Sequence, residues 1–213
     1  MTTIGIKKWL QSVTLALALI VVACTPVQPI RYYALTPISQ ESPVGETDKV
    51  IGVAPIALPD YLDRNGIVTR TSPNELTVAE NSNWIEPLDL QMRRVVARNL
   101  ALLLGTDLVF ILPQQRLLPL DYTVEIAVER FDIEKGEAAP DAEAAPELTV
   151  FEGRWTLFRR ESLDVLKTAP IRITVPVESP ATFEQRTAAM SEAVARLSRT
   201  IATALAQAPK AAS

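Results

Sequence analysis

The chain has 213 residues, 48% of them hydrophobic, with 21 Lys and Arg against 25 Asp and Glu, no histidine and a single cysteine. That inventory excludes Ser-His-Asp triads, histidine metal sites, zinc clusters and intramolecular disulfides, so stability has to come from the core. The acidic balance argues against a nucleic-acid partner and brings no attraction to a negative membrane surface.

Lys7 and Lys8 precede a largely apolar segment, Trp9 to Val22, which ends at the one cysteine, Cys24. About 14 apolar residues are too few for a span, which needs about 20. Polar, proline-rich Thr25-Pro26-Val27-Gln28-Pro29 follows, with no stop-transfer pattern, so residues 1–23 read as a removable export signal. Val21-Val22-Ala23-Cys24 resembles the lipobox of bacterial lipoproteins. The resemblance implies diacylglycerol on the Cys24 thiol, cleavage before it, and acylation of the new amino group. Only a sulfur nucleophile can accept the lipid in that way; the competing reading is a buried cysteine in an uncleaved anchor. Two or more acyl chains make a stable anchor where one does not. Thr25, standing where Asp would signal retention, implies by the same resemblance the inner leaflet of the outer membrane. Without residues 1–23 the chain keeps 19 basic against 25 acidic residues, a net charge of −6.

Residues 24–30 read as an extended tether, and residues 208–213 as a frayed tail. Between them, residues 31–207 are expected to form one domain. Arg31 to Pro37 is a short strand candidate rich in aromatics. Lys49 to Leu58 is apolar on both faces, as a strand buried between layers would be, with Pro55 interrupting its ladder. Asn65-Gly66 carries a two-residue turn signal, and Ile67 to Arg70 with Leu76 to Ala79 reads as a hairpin. Leu88, Met92, Val95, Val96, Leu100 and Leu103 recur at helical spacing after Pro87, and Gly105 closes the helix. Asp107 to Leu112 is a further strand. Tyr122 to Ile133 alternates as a half-exposed strand, Leu148 to Arg159 is its antiparallel partner, and acidic, low-complexity Gly136 to Pro146 joins them as a loop. Ile171 to Pro176 adds a strand. Thr182-Phe183-Glu184-Gln185 matches a capping box opening a helix with Thr187, Met190, Val194, Leu197, Ile201 and Leu205 on one face. The order β-β-β-β-α-β-β-β-β-α predicts a single α/β domain, a mixed β-sheet with two main helices packed on it.

Arg93, Arg94 and Arg98 could gather a lipid phosphate, since guanidinium groups pair with phosphate oxygens, or could form a solvated helix face. Trp84 could be a partner contact or could be buried over the start of the helix. Asp60 and Asp63 offer paired carboxylates, but with no histidine, metal cluster or serine motif the chain is not expected to be an enzyme. No glycine-rich phosphate loop is present. The connections Asp60 to Arg70 and Asn83 to Pro87 carry Tyr61, Arg64, Arg70 and Trp84, and form the expected partner-binding surface.

Arg31-Tyr32-Tyr33-Ala34-Leu35, Ile51-Gly52-Val53-Ala54-Pro55-Ile56-Ala57-Leu58-Pro59-Asp60-Tyr61-Leu62-Asp63-Arg64 with Ile67-Val68-Thr69-Arg70, Trp84-Ile85-Glu86-Pro87-Leu88 and Leu197-Ser198-Arg199-Thr200-Ile201-Ala202 occur in that order. Together they resemble the ABC-type transport auxiliary lipoproteins of the PqiC kind over nearly the whole chain after Ala23. The resemblance implies an outer-membrane-anchored periplasmic subunit of an MCE-type lipid transport system, with a fold like the amino-terminal α/β domain of TolB. It also implies a homo-oligomeric ring, an MCE-domain protein and a permease-type membrane subunit as partners, and no cofactor beyond the lipid on Cys24. The acidic insertion around Pro140 departs from the family pattern. A static envelope scaffold without a lipid conduit, and a lipid-modifying hydrolase, are the competing readings from other classes.

Overall fold

The computed structural model describes residues 28–39, 42–113, 119–135, 146–159, 164–178 and 180–209. Cys24, most of the acidic insertion and residues 210–213 lie outside them. The elements in chain order are β1 (Arg31–Tyr33), β2 (Ile51–Val53), a 3-10 turn (Asp60–Leu62), β3 (Gly66–Ser72), β4 (Glu75–Trp84), α1 (Leu88–Leu103), β5 (Val109–Ile111), β6 (Tyr122–Lys135), β7 (Glu147–Arg159), β8 (Val165–Val177) and α2 (Phe183–Gln207). This is the order expected from the sequence.

The sheet is organised on β6. One edge of β6 is covered along its length by antiparallel β7, and β8 pairs antiparallel with β7. The other edge is shared. β2 runs parallel to its first half, with Ile51 opposite Tyr122, and β3 runs parallel to its second, with Arg70 opposite Glu134. β5 then extends the β2 end, while β4 and β1 extend the β3 end. The chain from Ile51 to Arg70 thus follows one edge of β6. Its ladder breaks at Pro55, which has no N–H to donate, and resumes in a single bridge between Ala57 and Ala127.

Both helices lie on one face, α2 across β7 and β8 and α1 against β5, and they pack on each other. The six apolar positions of α1 read from its period are all buried, as are the six on α2. The capping box is formed, with Gln185 N–H donating to Thr182 Oγ1 at 3.2 Å and Thr182 N–H donating to Gln185 Oε1 at 2.9 Å. Gly105, at φ +57°, ends α1 in the left-handed region that favours glycine. Beneath the helices, Phe131 and Phe151 meet edge to face at 5.5 Å.

A bulge in β6 decides which residues face outward. Tyr122, Val124, Ile126 and Val128 are buried in alternation; after the register shift between Val128 and Arg130, Phe131 and Ile133 take over the core face. One extra residue exchanges the faces, so Arg130, Asp132 and Glu134 point away from the helices. Gly153 permits this, because a Cβ there would sit 2.5 Å from the Ala127 carbonyl oxygen.

Several expectations need correction. β4 continues five residues beyond Ala79 to Trp84, so that Asn83 and Trp84, read as part of a connection, belong to the strand. Gly66, read as half of a two-residue turn, opens β3; it is glycine because a Cβ would meet Val78 Cγ1 at 2.5 Å and the Ala79 oxygen at 2.6 Å. β2 is only three residues long, whereas β8 starts six residues before Ile171 and tolerates Pro170 and Pro176 because it is an edge strand. The tail is not frayed at its start. Lys49 Nζ donates to Leu205 O at 2.8 Å and Ala208 O at 2.6 Å, and the Tyr122 hydroxyl donates to the Pro209 carbonyl.

Candidate functional site

The 3-10 turn closes where β6 passes from β2 to β3. Asp63 N–H donates to Asp60 O at 3.2 Å and Arg64 N–H to Leu62 O at 2.9 Å. This leaves Asp60, Asp63 and Arg64 exposed while Leu62 is buried. Arg64 is therefore the member of the expected partner surface that stands free of the core.

Tyr61 and Arg70 turn inward to a charged cluster. Asp132, fully buried, accepts from Arg70 Nε and Nη2 on one oxygen, at 3.2 and 2.9 Å, and from Arg130 Nε on the other at 2.8 Å. Arg130 also pairs with Glu134, and Arg70 Nη1 donates to Pro73 O at 3.0 Å. Burial works against the charge of Arg130, but its bonds to Asp132 and Glu134 outweigh that and hold its pKa above the usual value. Burial raises the pKa of the Tyr61 hydroxyl, and the negative charge of Asp132 raises it further. The arrangement ties β3 to β6 beneath the turn and leaves Arg70 with its fork already filled. Asp132 was not legible as its partner, since the two are 62 positions apart.

Trp84 is corrected from the contact surface. It is 5% exposed, its backbone N–H donates to Asn65 O at 2.7 Å, and it pairs with Tyr33 across β1 and β4. The burial reading holds because β4 carries it into the core beside Leu88.

The three helix arginines do not converge. Arg93 donates to the Leu112 carbonyl at 2.7 Å, Arg94 pairs with Glu86, and Arg98 is exposed. Arg94 and Arg98 border a small cavity of about 280 Å³ with Leu35, Gln91 and Val95, from which Arg93 is turned away. No common phosphate site joins all three.

Buried polar side chains on the helices hold the segment after β1. Gln91 Oε1 accepts from Leu35 N–H, Asn99 Oδ1 from Ile38 N–H, both at 2.9 Å, and Ser191 Oγ from Thr36 N–H at 3.1 Å. These satisfy backbone groups that run over the helices without a strand partner. Beside this segment an open groove of about 1250 Å³ separates β4 from the start of α2, with Gln28, Arg31, Tyr33, Asn81, Phe183 and Arg186 among its walls. Arg186 is held there by Glu147, at 2.7 and 2.8 Å. Periodicity gave no signal for the groove, which exists because β1 pairs with β4 only at Ser82 to Trp84.

Residues 33–202, from the end of β1 to the last turns of α2, match the family model of the ABC-type transport auxiliary lipoprotein component. The chain belongs to this family. As a transport auxiliary lipoprotein component it is membrane-associated, and among the described residues no helix is long and apolar enough to cross a membrane. The auxiliary component is 35% identical over 98 residues to the intermembrane transport lipoprotein PqiC of Escherichia coli K12, and equally to that of Shigella flexneri. The matched part is 45% of this chain and 51% of theirs, so the chain spans about half the length of the curated relatives it matches. Among solved structures, a Xanthomonas campestris protein superposes with a TM-score of 0.67 at 19% identity, covering 82% of this chain and 94% of that one. A second, uncharacterised protein does so at 0.62 and 22%, covering 84% and 99%. Both likenesses concern the fold.

Proposed function

We propose that acyl chains on Cys24 hold this lipoprotein at the periplasmic face of the outer membrane, where it is a non-catalytic subunit of an MCE-type intermembrane lipid transport system. It docks the transport tube at the membrane, as a ring of copies meeting an MCE-domain protein whose inner-membrane end sits on a permease-type subunit. The observation that carries this reading is the similarity to PqiC, whose name describes an intermembrane transport lipoprotein. Val21-Val22-Ala23-Cys24 with Thr25 supports the anchor and its destination.

A tethered domain is confined to a thin layer beneath the bilayer, which raises its effective concentration for a partner arriving across the periplasm. Arg64 on the 3-10 turn, flanked by Asp60 and Asp63, is the contact this reading favours. Tyr61 serves it from beneath, as a brace.

Purification of the detergent-solubilised protein, with mass-spectrometric identification of what accompanies it, tests the reading. An MCE-domain protein is expected, and Arg64→Ala should reduce its recovery without moving the unfolding midpoint. Recovery of envelope proteins with no MCE-domain protein among them would overturn transport in favour of a scaffold. Cys24→Ser should shift the protein out of the membrane fraction.

A further inference from the structure

Few large apolar side chains among the described residues are as open as Ile30, 52% exposed, and Tyr32, 58% exposed. They flank Arg31 at the start of β1, an edge strand that pairs with β4 alone. Tyr33 and Trp84, paired across these strands, turn inward, and the Tyr33 ring lies 6.0 Å from that of Phe183. Successive side chains on a strand alternate, so Tyr32 stands on the opposite face from Tyr33, at the rim of the groove, and Ile30 is exposed one residue before the strand begins. Ile85, 57% exposed, follows Trp84 and continues the outward row, its N–H donating to Tyr33 O at 2.9 Å. Three large apolar groups gathered at one sheet edge are a surface that calls for a cover.

The length of chain before β1 names that cover. Cys24 stands six residues before Ile30 and eight before Tyr32, which at no more than 3.6 Å per residue limits the separations to about 22 and 29 Å. The opposite edge, β8, is five strand spacings away, about 24 Å farther across the sheet. A bilayer gripping Cys24 is thus met by the β1 edge ahead of the β8 edge. With a net charge of −6 after residue 23, an anionic surface repels the domain as a whole, so its contact has to be made by apolar groups.

We propose that Ile30 and Tyr32, with Ile85 beside them, seat in the headgroup layer of the same bilayer that holds the Cys24 acyl chains, setting the orientation of the domain beneath the membrane. A tyrosine, apolar in its ring and polar at its tip, suits that layer. The proposal rests on the lipid-anchor reading of Cys24.

Acylation consumes the only thiol of the chain, so Tyr32→Cys creates a unique labelling site, as do Ile30→Cys and, on β8, Val165→Cys. Each full acylated protein, carrying an environment-sensitive fluorophore, is placed in phosphatidylethanolamine and phosphatidylglycerol vesicles with and without doxyl-labelled lipid. The labels at positions 30 and 32 should lose most of their emission to the doxyl groups, and the label at 165, itself on an exposed site, should keep its emission. Equal emission at all three positions, in protein that floats with the vesicles and has an acylated terminus by mass spectrometry, overturns the proposal and leaves the anchor standing. Self-quenching at position 32 that is relieved by unlabelled protein, without doxyl quenching, means that a second copy covers the edge, and also overturns it. A free Cys24 thiol and failure to float would sink the anchor reading, and the proposal with it.

Discussion

Asp132→Ala is the sharpest test of the physical account of the charged cluster that ties β3 to β6. The wild-type carboxylate is fully buried and answers two guanidinium groups. Deleting one member of a buried pair costs about 3–5 kcal/mol, because the charge left behind is uncompensated. Here Arg70 and Arg130 keep side-chain exposures of 18% and 17%, Arg130 retains Glu134, and Arg70 retains the Pro73 carbonyl. Water and these partners reduce the cost to about 2–3 kcal/mol. In a chain of this size each kcal/mol corresponds to about 2–4 °C, so the melting temperature should fall by about 4–12 °C. Urea unfolding followed by circular dichroism should show a lower midpoint at unchanged slope. Replacing the whole group with Asp132→Leu, Arg70→Met, Arg130→Met and Glu134→Gln should recover much of the loss, since no member of the cluster then carries a buried charge. A loss of less than about 1 kcal/mol for Asp132→Ala would place the cluster with ordinary surface pairs and refute the bracing role assigned to it.

Three further outcomes follow from other parts of the molecule. Lys49→Met removes the ammonium that donates to two carbonyls at the end of α2, whose last turn has no basic residue; a loss of about 1–3 kcal/mol in urea unfolding is expected, and faster amide exchange in that last turn. In Gly153→Ala the new methyl group meets the Ala127 carbonyl at the β6 bulge, and overpacking of this kind costs about 1–3 kcal/mol; an unchanged unfolding midpoint would mean that the bulge can move aside. Tyr61, with its pKa raised in the fold, contributes stability that is complete below its unfolded value near 10.0 and is lost as pH rises through the folded one. Alkaline titration by ultraviolet absorbance should accordingly show a late-ionising phenol that Tyr61→Phe abolishes.

The elements most legible in the sequence are those whose signal repeats along a few turns. The apolar stripes of α1 and α2 and the Thr182 cap needed no distant residue to be recognised, and the alternation in β6 was clear up to Val128. Legibility failed where a polar stretch was ordered from outside. Asn83 and Trp84 read as part of a connection, yet β1 and β3 on either side draw Asn83 into β4 and carry Trp84 inward. The candidate site divides in the same way: Arg64 is exposed on a turn that proline and aspartate announce, whereas Arg70 is claimed by Asp132, a residue that local pattern had no means to single out.

By itself, the sequence determined an inventory with no histidine and a single cysteine, two amphipathic helices and the order of the strands. These are properties of composition and of short-range periodicity, and both are written along the chain. The tertiary structure alone decided which edge of β6 each strand takes, that a bulge turns Asp132 to the face away from the helices, where it is buried between two arginines, and that Ile30 and Tyr32 stay open at the sheet edge. Those outcomes depend on register between segments tens of residues apart, where a shift of one residue exchanges the two faces of a strand and so changes which side chains are buried.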